Sequence, residues 1–329
     1  MALTIRLGVD ELAATRFAIS PLSETVSCLQ QLADLDRQAA NLPWLRWALD
    51  SLAAEPLDLS HTWPLLVSDR PNWPEFLVPA PSGAGTSIDE DLAALRRTTA
   101  RQVRVSLRRV FGANPPEPVA ALAARPAAGL RAIAVELRAA HDRLVAPHWS
   151  RIRAVLDADV VHRAKQFAAG GAERLFADLH PDLRWRDGRL MLGGERWQAE
   201  GVVDRGPGGL VLMPVAIGSS YVLIKKRTST QTTVRYPARG VGTLWTAGTR
   251  APAGSTVRLL GRARAELLEA LRSPATTTDL ARALGVTPSA VSQHLGVLRE
   301  NGLVTRERCG RNVLYLMTPL GASLCGHRP

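Results

Sequence analysis

The stretch Thr276–Leu316, TTTDLARALGVTPSAVSQHLGVLRENGLVTRERCGRNVLYL, decides the fold of the C-terminal region. Thr276 with Asp279 three residues on is a capping pair ahead of an apolar run, and Leu280, Ala281 and Leu284 line one face of the helix that follows. Gly285 ends that helix and Val286 fills a turn. Thr287 supplies an N-cap, and Pro288 takes the first helical position, where a missing N–H costs nothing. A second helix therefore starts at once. Within it Val291, Leu295 and Leu298 recur at i, i+4 and i+7 and must face a core. At roughly 100° per residue, Ser289, Gln293 and Gly296 point directly away from that stripe, with Ser292 and Arg299 on its flank. Short polar side chains allow close approach to base edges, and an amide such as that of Gln293 can make a two-point contact with adenine. Asn301-Gly302 stops the helix. Leu303–Arg308 and Asn312–Leu316 then read as two short strands around Cys309-Gly310-Arg311, a hairpin whose Arg306, Arg308 and Arg311 suit phosphates.

The run SAVSQHLGVLRENGLVTRERCGRNVLYLMT, from Ser289, resembles the recognition helix and wing of the ArsR/SmtB family of bacterial regulators, and the likeness extends from Arg258 to Leu324. It implies a DNA-binding winged helix with Ser289, Ser292 and Gln293 at base-reading positions. With Thr287, Arg299, Arg306, Arg308, Arg311 and Asn312 these form the expected DNA-binding set. Many members of that family sense metals through a Cys-x-Cys pair entering the first helix of the motif, whereas this chain has Thr276-Thr277-Thr278-Asp279 there. Cys28, Cys309 and Cys325 are scattered, and His141, His148 and His162 lack i, i+3 or i+4 spacing. The expectation is of neither a metal sensor nor a cofactor.

The 329-residue chain carries a formal net charge of +11, and arginine supplies nearly all of the cations, since lysine occurs only at Lys165, Lys225 and Lys226. Thr256–Pro329 holds ten arginines against five acidic residues, net +5, which leaves +6 for the much longer remainder. Basic density is thus highest in the motif, as an anionic polymer partner requires. Three cysteines without a pairing pattern, an N-terminus unlike a signal peptide and no run of roughly 18 apolar residues place the chain in the cytoplasm, away from membranes.

Upstream, residues 1–182 read as mainly helical after a short strand at Leu3–Leu7. Ser20-Pro21 starts one helix, Ser87 caps another with Asp89, Glu90 and Asp91 in its first turn, and Arg96–Arg109 sets six arginines beside an apolar pair, Val103 and Leu107. Those arginines suit a solvated helix face or an auxiliary phosphate contact. Trp44 and Trp47, three apart, suit a core or the wall of an aromatic pocket. From Leu183 the period shortens to that of strands: Leu190–Leu192, Trp197–Val203, Leu210–Ala216, Tyr221–Ile224 and Thr232–Tyr236, separated by Gly-rich turns, predict an antiparallel meander over residues 183–245 packed on the helices. Residues 246–256 read as a linker and 257–329 as the winged helix, opening with one helix over Val257–Leu271. All eight tryptophans precede the motif, which assigns the aromatic bulk to the N-terminal region. SPLSETV from Ser20, LVAPHWSRIR from Leu144 and YPARGVGTLW from Tyr236 are similar to segments of the long N-terminal domain, of uncharacterised function, that precedes the winged helix in some actinobacterial ArsR-like regulators.

The fold class expected is α+β, a large N-terminal helical domain with an antiparallel meander followed by a C-terminal winged helix-turn-helix. The function expected is a homodimeric, sequence-specific transcription regulator, acting as a repressor on an inverted repeat in double-stranded DNA. Its N-terminal domain would serve dimerisation, sensing of a small-molecule effector, or both. The alternatives are a winged helix used for protein assembly and an enzyme fused to a winged helix. No Gly-rich dinucleotide or methyl-donor loop, nucleophile elbow, His-Glu-x-x-His helix or P-loop supports an enzyme.

Overall fold

A computed structural model describes residues 3–33, 38–67, 73–81, 83, 85–193, 201–202, 208–218, 221–224, 231–245, 252–271, 275–309 and 312–325, with backbone alone at 39, 201–202, 243, 282–283, 307–309, 312 and 314. Helix and strand are mixed, and the chain divides into two units. The first comprises Met1–Asp36 and Glu55–Arg239, the second Arg37–Ala54 and Gly240–Pro329. Both therefore use two separate segments of the chain. The segment containing the helix Leu42–Ala54, expected in the N-terminal region, belongs with the winged helix instead.

In the first unit, hydroxyl caps start the helices where the sequence places them. Ser20 accepts from the Ser23 N–H at 2.9 Å ahead of the helix Pro21–Leu32, and Ser87 and Glu90 form a reciprocal capping box before Ile88–Arg96. The arginine-rich helix Ala100–Phe111 buries Val103, Leu107, Val110 and Phe111 and leaves its arginines outward; Arg104 donates to the Ala123 carbonyl and Arg109 pairs with Glu75. The long helix Trp149–Ala177 breaks at Gly170-Gly171, where Gly171 takes φ +62°, and its last turn turns Leu175 and Phe176 into a core. Phe176 stacks on Trp185 at 5.3 Å between ring centres.

Two four-stranded sheets complete this unit. The first runs β3 (Leu183–Arg186), β4 (Arg189–Leu192), β1 (Leu3–Arg6) and β5 (Gly201–Val202); β3, β4 and β1 are antiparallel, while β5 lies parallel to β1. Asp187 and Gly188, at φ 50° and 70°, make the tight turn between β3 and β4, since two successive positive φ angles match the twist of a hairpin. The second sheet runs β2 (Arg16–Phe17), β6 (Val211–Val215), β8 (Thr233–Pro237) and β7 (Leu223–Ile224). Here β2–β6 and β6–β8 are parallel and only β7–β8 is antiparallel. The meander expectation holds for the antiparallel pairs, and misses both the parallel pairs and the recruitment of β1 and β2 from the start of the chain. The expected strand Trp197–Val203 and the Gly-rich turn that follows it lie largely outside the described residues. Gly209 is packed so closely against the Glu11–Thr15 backbone that a Cβ would come within 2.2 Å of the Glu11 carbonyl oxygen. One apolar core joins β1, β4, β6 and β8 through Ile5, Leu190, Leu212, Val234 and Tyr236. Tyr236 also donates its hydroxyl to buried Asp159 at 2.8 Å, and the same carboxylate accepts from the Arg239 N–H, which fastens the Tyr236–Arg239 segment to the long helix.

In the second unit, Trp245 is buried and its indole N–H donates to Asn41 at 3.1 Å across a separation of 204 residues. Trp44, at 1% exposed, and Trp47 also belong here, so the aromatic bulk is shared between the units. The expected single helix Val257–Leu271 is two, Gly254–Leu260 and Arg262–Ala270, because Gly261 takes φ +78°. No single helix in the described residues is long and apolar enough to cross a membrane.

Candidate nucleic-acid interface

The second unit is built around one compact core: Leu267, Leu268 and Leu271 from the second of those helices, Leu280 and Ala281 from the helix Thr277–Leu284, Val291, Leu295 and Leu298 from the helix Pro288–Glu300, and Leu303 and Val304 beyond it. Capping fixes how the last two helices meet. Thr276 accepts from the Asp279 N–H, and Asp279 reaches back to the Thr276 hydroxyl at 2.6 Å. Gly285 at φ +68° ends the first helix in the left-handed conformation, and the Val286 N–H returns to the Ala281 carbonyl at 3.0 Å. Thr287 then accepts from the Ala290 N–H, which opens the second helix at Pro288. Only a left-handed residue lets the chain reverse this tightly, and glycine takes that conformation without a Cβ clash.

The second helix divides as the spacing predicts. Val291, Leu295 and Leu298 are at most 1% exposed, whereas Thr287, Ser289, Ser292, Gln293 and Arg299 are exposed. Gly296 lies on the same outward side, and no atom stands within 4 Å of where its Cβ would be. At the far end Gly302, φ +68°, closes the helix: its N–H bonds to the Arg299 carbonyl and that of Leu303 to the Leu298 carbonyl, both at 2.9 Å. That closure aims the chain into the wing.

The wing is the antiparallel pair β9 (Val304–Cys309) and β10 (Asn312–Met317), in register from Asn312 opposite Cys309 to Met317 opposite Val304. Ala275 adds a further bridge to Tyr315 through paired N–H···O bonds of 2.9 and 3.2 Å, which ties the wing to the chain entering the first helix of the motif. Arg306 is exposed on β9. The backbone places Arg308 opposite Val313 and Asn312 opposite Cys309, next to the hairpin tip; their side chains, and all of Arg311, lie outside the described residues. Thus Ser289, Ser292, Gln293 and Arg299 share one helix, Thr287 stands at its start, and Arg306, Arg308 and Asn312 lie on the adjoining hairpin.

Two parts of this unit carry no local signal in the sequence. Gly240–Trp245 lies beside the first helix of the motif, with Gly242 so near Asp279 that a Cβ would stand 3.2 Å from its carboxylate oxygen. The segment Arg37–Ala54 is the other, joined through Asn41 and Trp245. Cys28 is a buried free thiol, and Cys325 is buried as well. Among the described residues no group of three or more His, Cys, Asp and Glu side chains could hold a metal ion.

Comparison with known proteins agrees with this geometry. Residues 259–307 match a family model described as a helix-turn-helix domain. Over 67 residues the chain is 45% identical to the HTH-type transcriptional regulator NmtR of Mycobacterium tuberculosis (strain ATCC 25618 / H37Rv), a match that covers 20% of this chain and 56% of that protein. The chain therefore spans little more than half the length of the curated relative it matches. No solved structure matches it. The C-terminal part of this chain is a winged helix-turn-helix that is similar, over the motif, to a transcription regulator of the ArsR/SmtB family.

Proposed function

We propose that the protein is a homodimeric, sequence-specific DNA-binding repressor whose N-terminal unit supplies dimerisation, effector sensing, or both. One observation carries the reading. The helix Pro288–Glu300 buries Val291, Leu295 and Leu298 and turns outward a face of small and polar residues, Ser289, Ser292, Gln293 and Gly296. A helix shaped this way fits the major groove, where Gln293 pairs with an adenine edge and the serine hydroxyls accept or donate to either strand. Arg299 flanks that face, and Arg306, Arg308, Arg311 and Asn312 on or beside the wing lie along phosphates, which adds affinity without sequence preference. Two copies related by a two-fold axis would set their helices into successive major grooves, about 34 Å apart, on an inverted repeat. A dimer seated over a promoter blocks polymerase with no further contact, which makes repression the simplest output.

Thr276 and Asp279 cap the first helix with a hydroxyl and a carboxylate, and the run Thr276-Thr277-Thr278-Asp279 offers no thiolate, which supports a signal other than a metal bound at that position. Footprinting of the purified chain on DNA fragments that include the region upstream of its own gene, at low and moderate salt, tests the reading. A protected inverted repeat with half-sites one helical turn apart is expected. Absence of protection at low salt on every fragment, from a folded dimer, would replace it with a winged helix used for protein assembly.

A further inference from the structure

The helix Pro21–Leu32 of the first unit is buried almost all round and yet polar: Ser23, Glu24, Thr25, Ser27 and Gln31 are each at most 2% exposed. Most of these groups are satisfied locally. Thr25 and Ser27 donate their hydroxyls to the Pro21 and Ser23 carbonyls, and the two oxygens of Glu24 accept from the Ala216 and Ile217 N–H groups at 2.9 and 2.8 Å. Arg235 is the exception. Along β8, Val234 and Tyr236 enter the apolar core, so Thr233 and Arg235 lie on the opposite face, toward this helix. The Arg235 guanidinium lies over the Trp73 ring at 5.5 Å from its centre and donates through Nη2 to Ser27 Oγ at 2.6 Å and to the Ser23 carbonyl at 3.3 Å. Its Nε and Nη1 have no partner, and neither do the hydroxyls of Ser23 and Thr233.

Burial lowers the Arg235 pKa to about 10, which still leaves it charged at neutral pH. Among the described residues it forms no ion pair within contact distance; Glu24, whose charge attracts it, has both oxygens engaged by backbone amides. A buried cation with open donors, beside the open Ser23 hydroxyl and on the same strand face as Thr233, is costly unless an anion completes it. Glu24 beside it limits how much negative charge the site accepts, and the Trp73 ring holds the guanidinium in place by a cation–π contact. We propose that Arg235, with Ser23 and Thr233, binds a small monocarboxylate, and that this is the effector site of the N-terminal unit. The regulatory half of this statement rests on the function proposed above; the binding half does not.

Thermal unfolding and calorimetry of the full chain with sodium acetate, sodium benzoate and inorganic phosphate, against sodium chloride at matched ionic strength, test it. The carboxylates should raise the melting temperature progressively, with the logarithm of their concentration once above Kd, and Arg235→Gln should abolish the effect. Thr233→Val keeps the β-branched shape and removes a buried hydroxyl that has no partner, so without ligand it should melt no lower than the parent, and it should bind the carboxylate about tenfold more weakly. No response to either carboxylate, an equal response in Thr233→Val, or a preference for phosphate would overturn the site. DNA binding measured on the same preparations separates the two readings: carboxylate binding without DNA affinity sinks only the regulator, and DNA binding without a carboxylate response sinks only the site.

Discussion

Replacing Gly296 with alanine separates the folding of the recognition helix from its contact with DNA. Gly296 sits inside the helix Pro288–Glu300, and its Cβ position is open for 4 Å around. Nothing must move to admit a methyl group. Alanine is better than glycine in a helix interior by about 0.8–1 kcal/mol, so unfolding in urea should require up to about 1 kcal/mol more free energy in the variant. The same methyl points from the face that carries Ser289 and Gln293. If that face meets the floor of a major groove, the added volume is an overpacked contact costing about 1–3 kcal/mol, or roughly 5- to 150-fold in affinity for the operator. Urea titration and fluorescence anisotropy on one preparation read both quantities. A variant that is more stable and binds operator as well as the parent would move the close approach to another face. A variant that gains no stability would show that the Cβ position is filled in solution.

Arg306→Ala should weaken binding by a similar factor on every sequence and lower the slope of log affinity against log salt by about one, measured between 50 and 300 mM salt; an unchanged slope removes β9 from phosphate. Gly321→Ala should destabilise the second unit by about 1–3 kcal/mol in thermal unfolding, because the new Cβ would stand 2.3 Å from the Leu303 carbonyl oxygen, a backbone atom that cannot rotate away. A near-neutral result would mean that the helix Pro319–Leu324 is not seated there. Stability should also depend on pH through Glu24 and Asp91, whose carboxyl pKa values burial pushes up to about 7 and about 6. In both, the folded state holds its proton at a pH where the unfolded chain has lost it, so stability falls as pH rises from about 4 to about 7. For Glu24 the shift from 4.5 to about 7 corresponds to about 3 kcal/mol, and Glu24→Gln should flatten that part of the profile in urea titrations at pH 5 and pH 8. A parent chain equally stable at both values would contradict the burial of an ionising Glu24.

The helix-turn-helix was legible because its determinants are local. Thr276 and Asp279, Gly285, Thr287-Pro288 and Gly302 each act within four residues, and the Val291, Leu295, Leu298 period decides which face is hidden. Exposure of Gln293 follows from the same arithmetic. Elsewhere the determinants are distant. β1 and β2 find partners near residues 190 and 211, and parallel pairing leaves no turn signal to mark it. The apolar runs at Leu210–Ala216 and Tyr221–Ile224 announced strands, but not their order. Arg37–Ala54 joins the winged-helix unit through Asn41 and Trp245, 204 residues apart, and nothing within the helix Leu42–Ala54 distinguishes that core from another. The break at Gly261 is different: a glycine inside a helical period was visible, and only its positive φ turned it from a tolerated cost into two helices. Arg235 was invisible as a site, because a lone arginine in a β-prone run reads as an outward side chain until the strand is shown to be buried on both faces.

Selection of bound sequences from a random DNA pool by the parent chain and by Gln293→Ala tests sequence reading most directly. The parent should enrich an inverted repeat, and the variant should lose its preference for one adenine per half-site, by about 1–3 kcal/mol, while the rest of the motif persists. Identical motifs from both proteins, or no enriched sequence from the parent, would contradict a recognition helix that reads bases through Gln293.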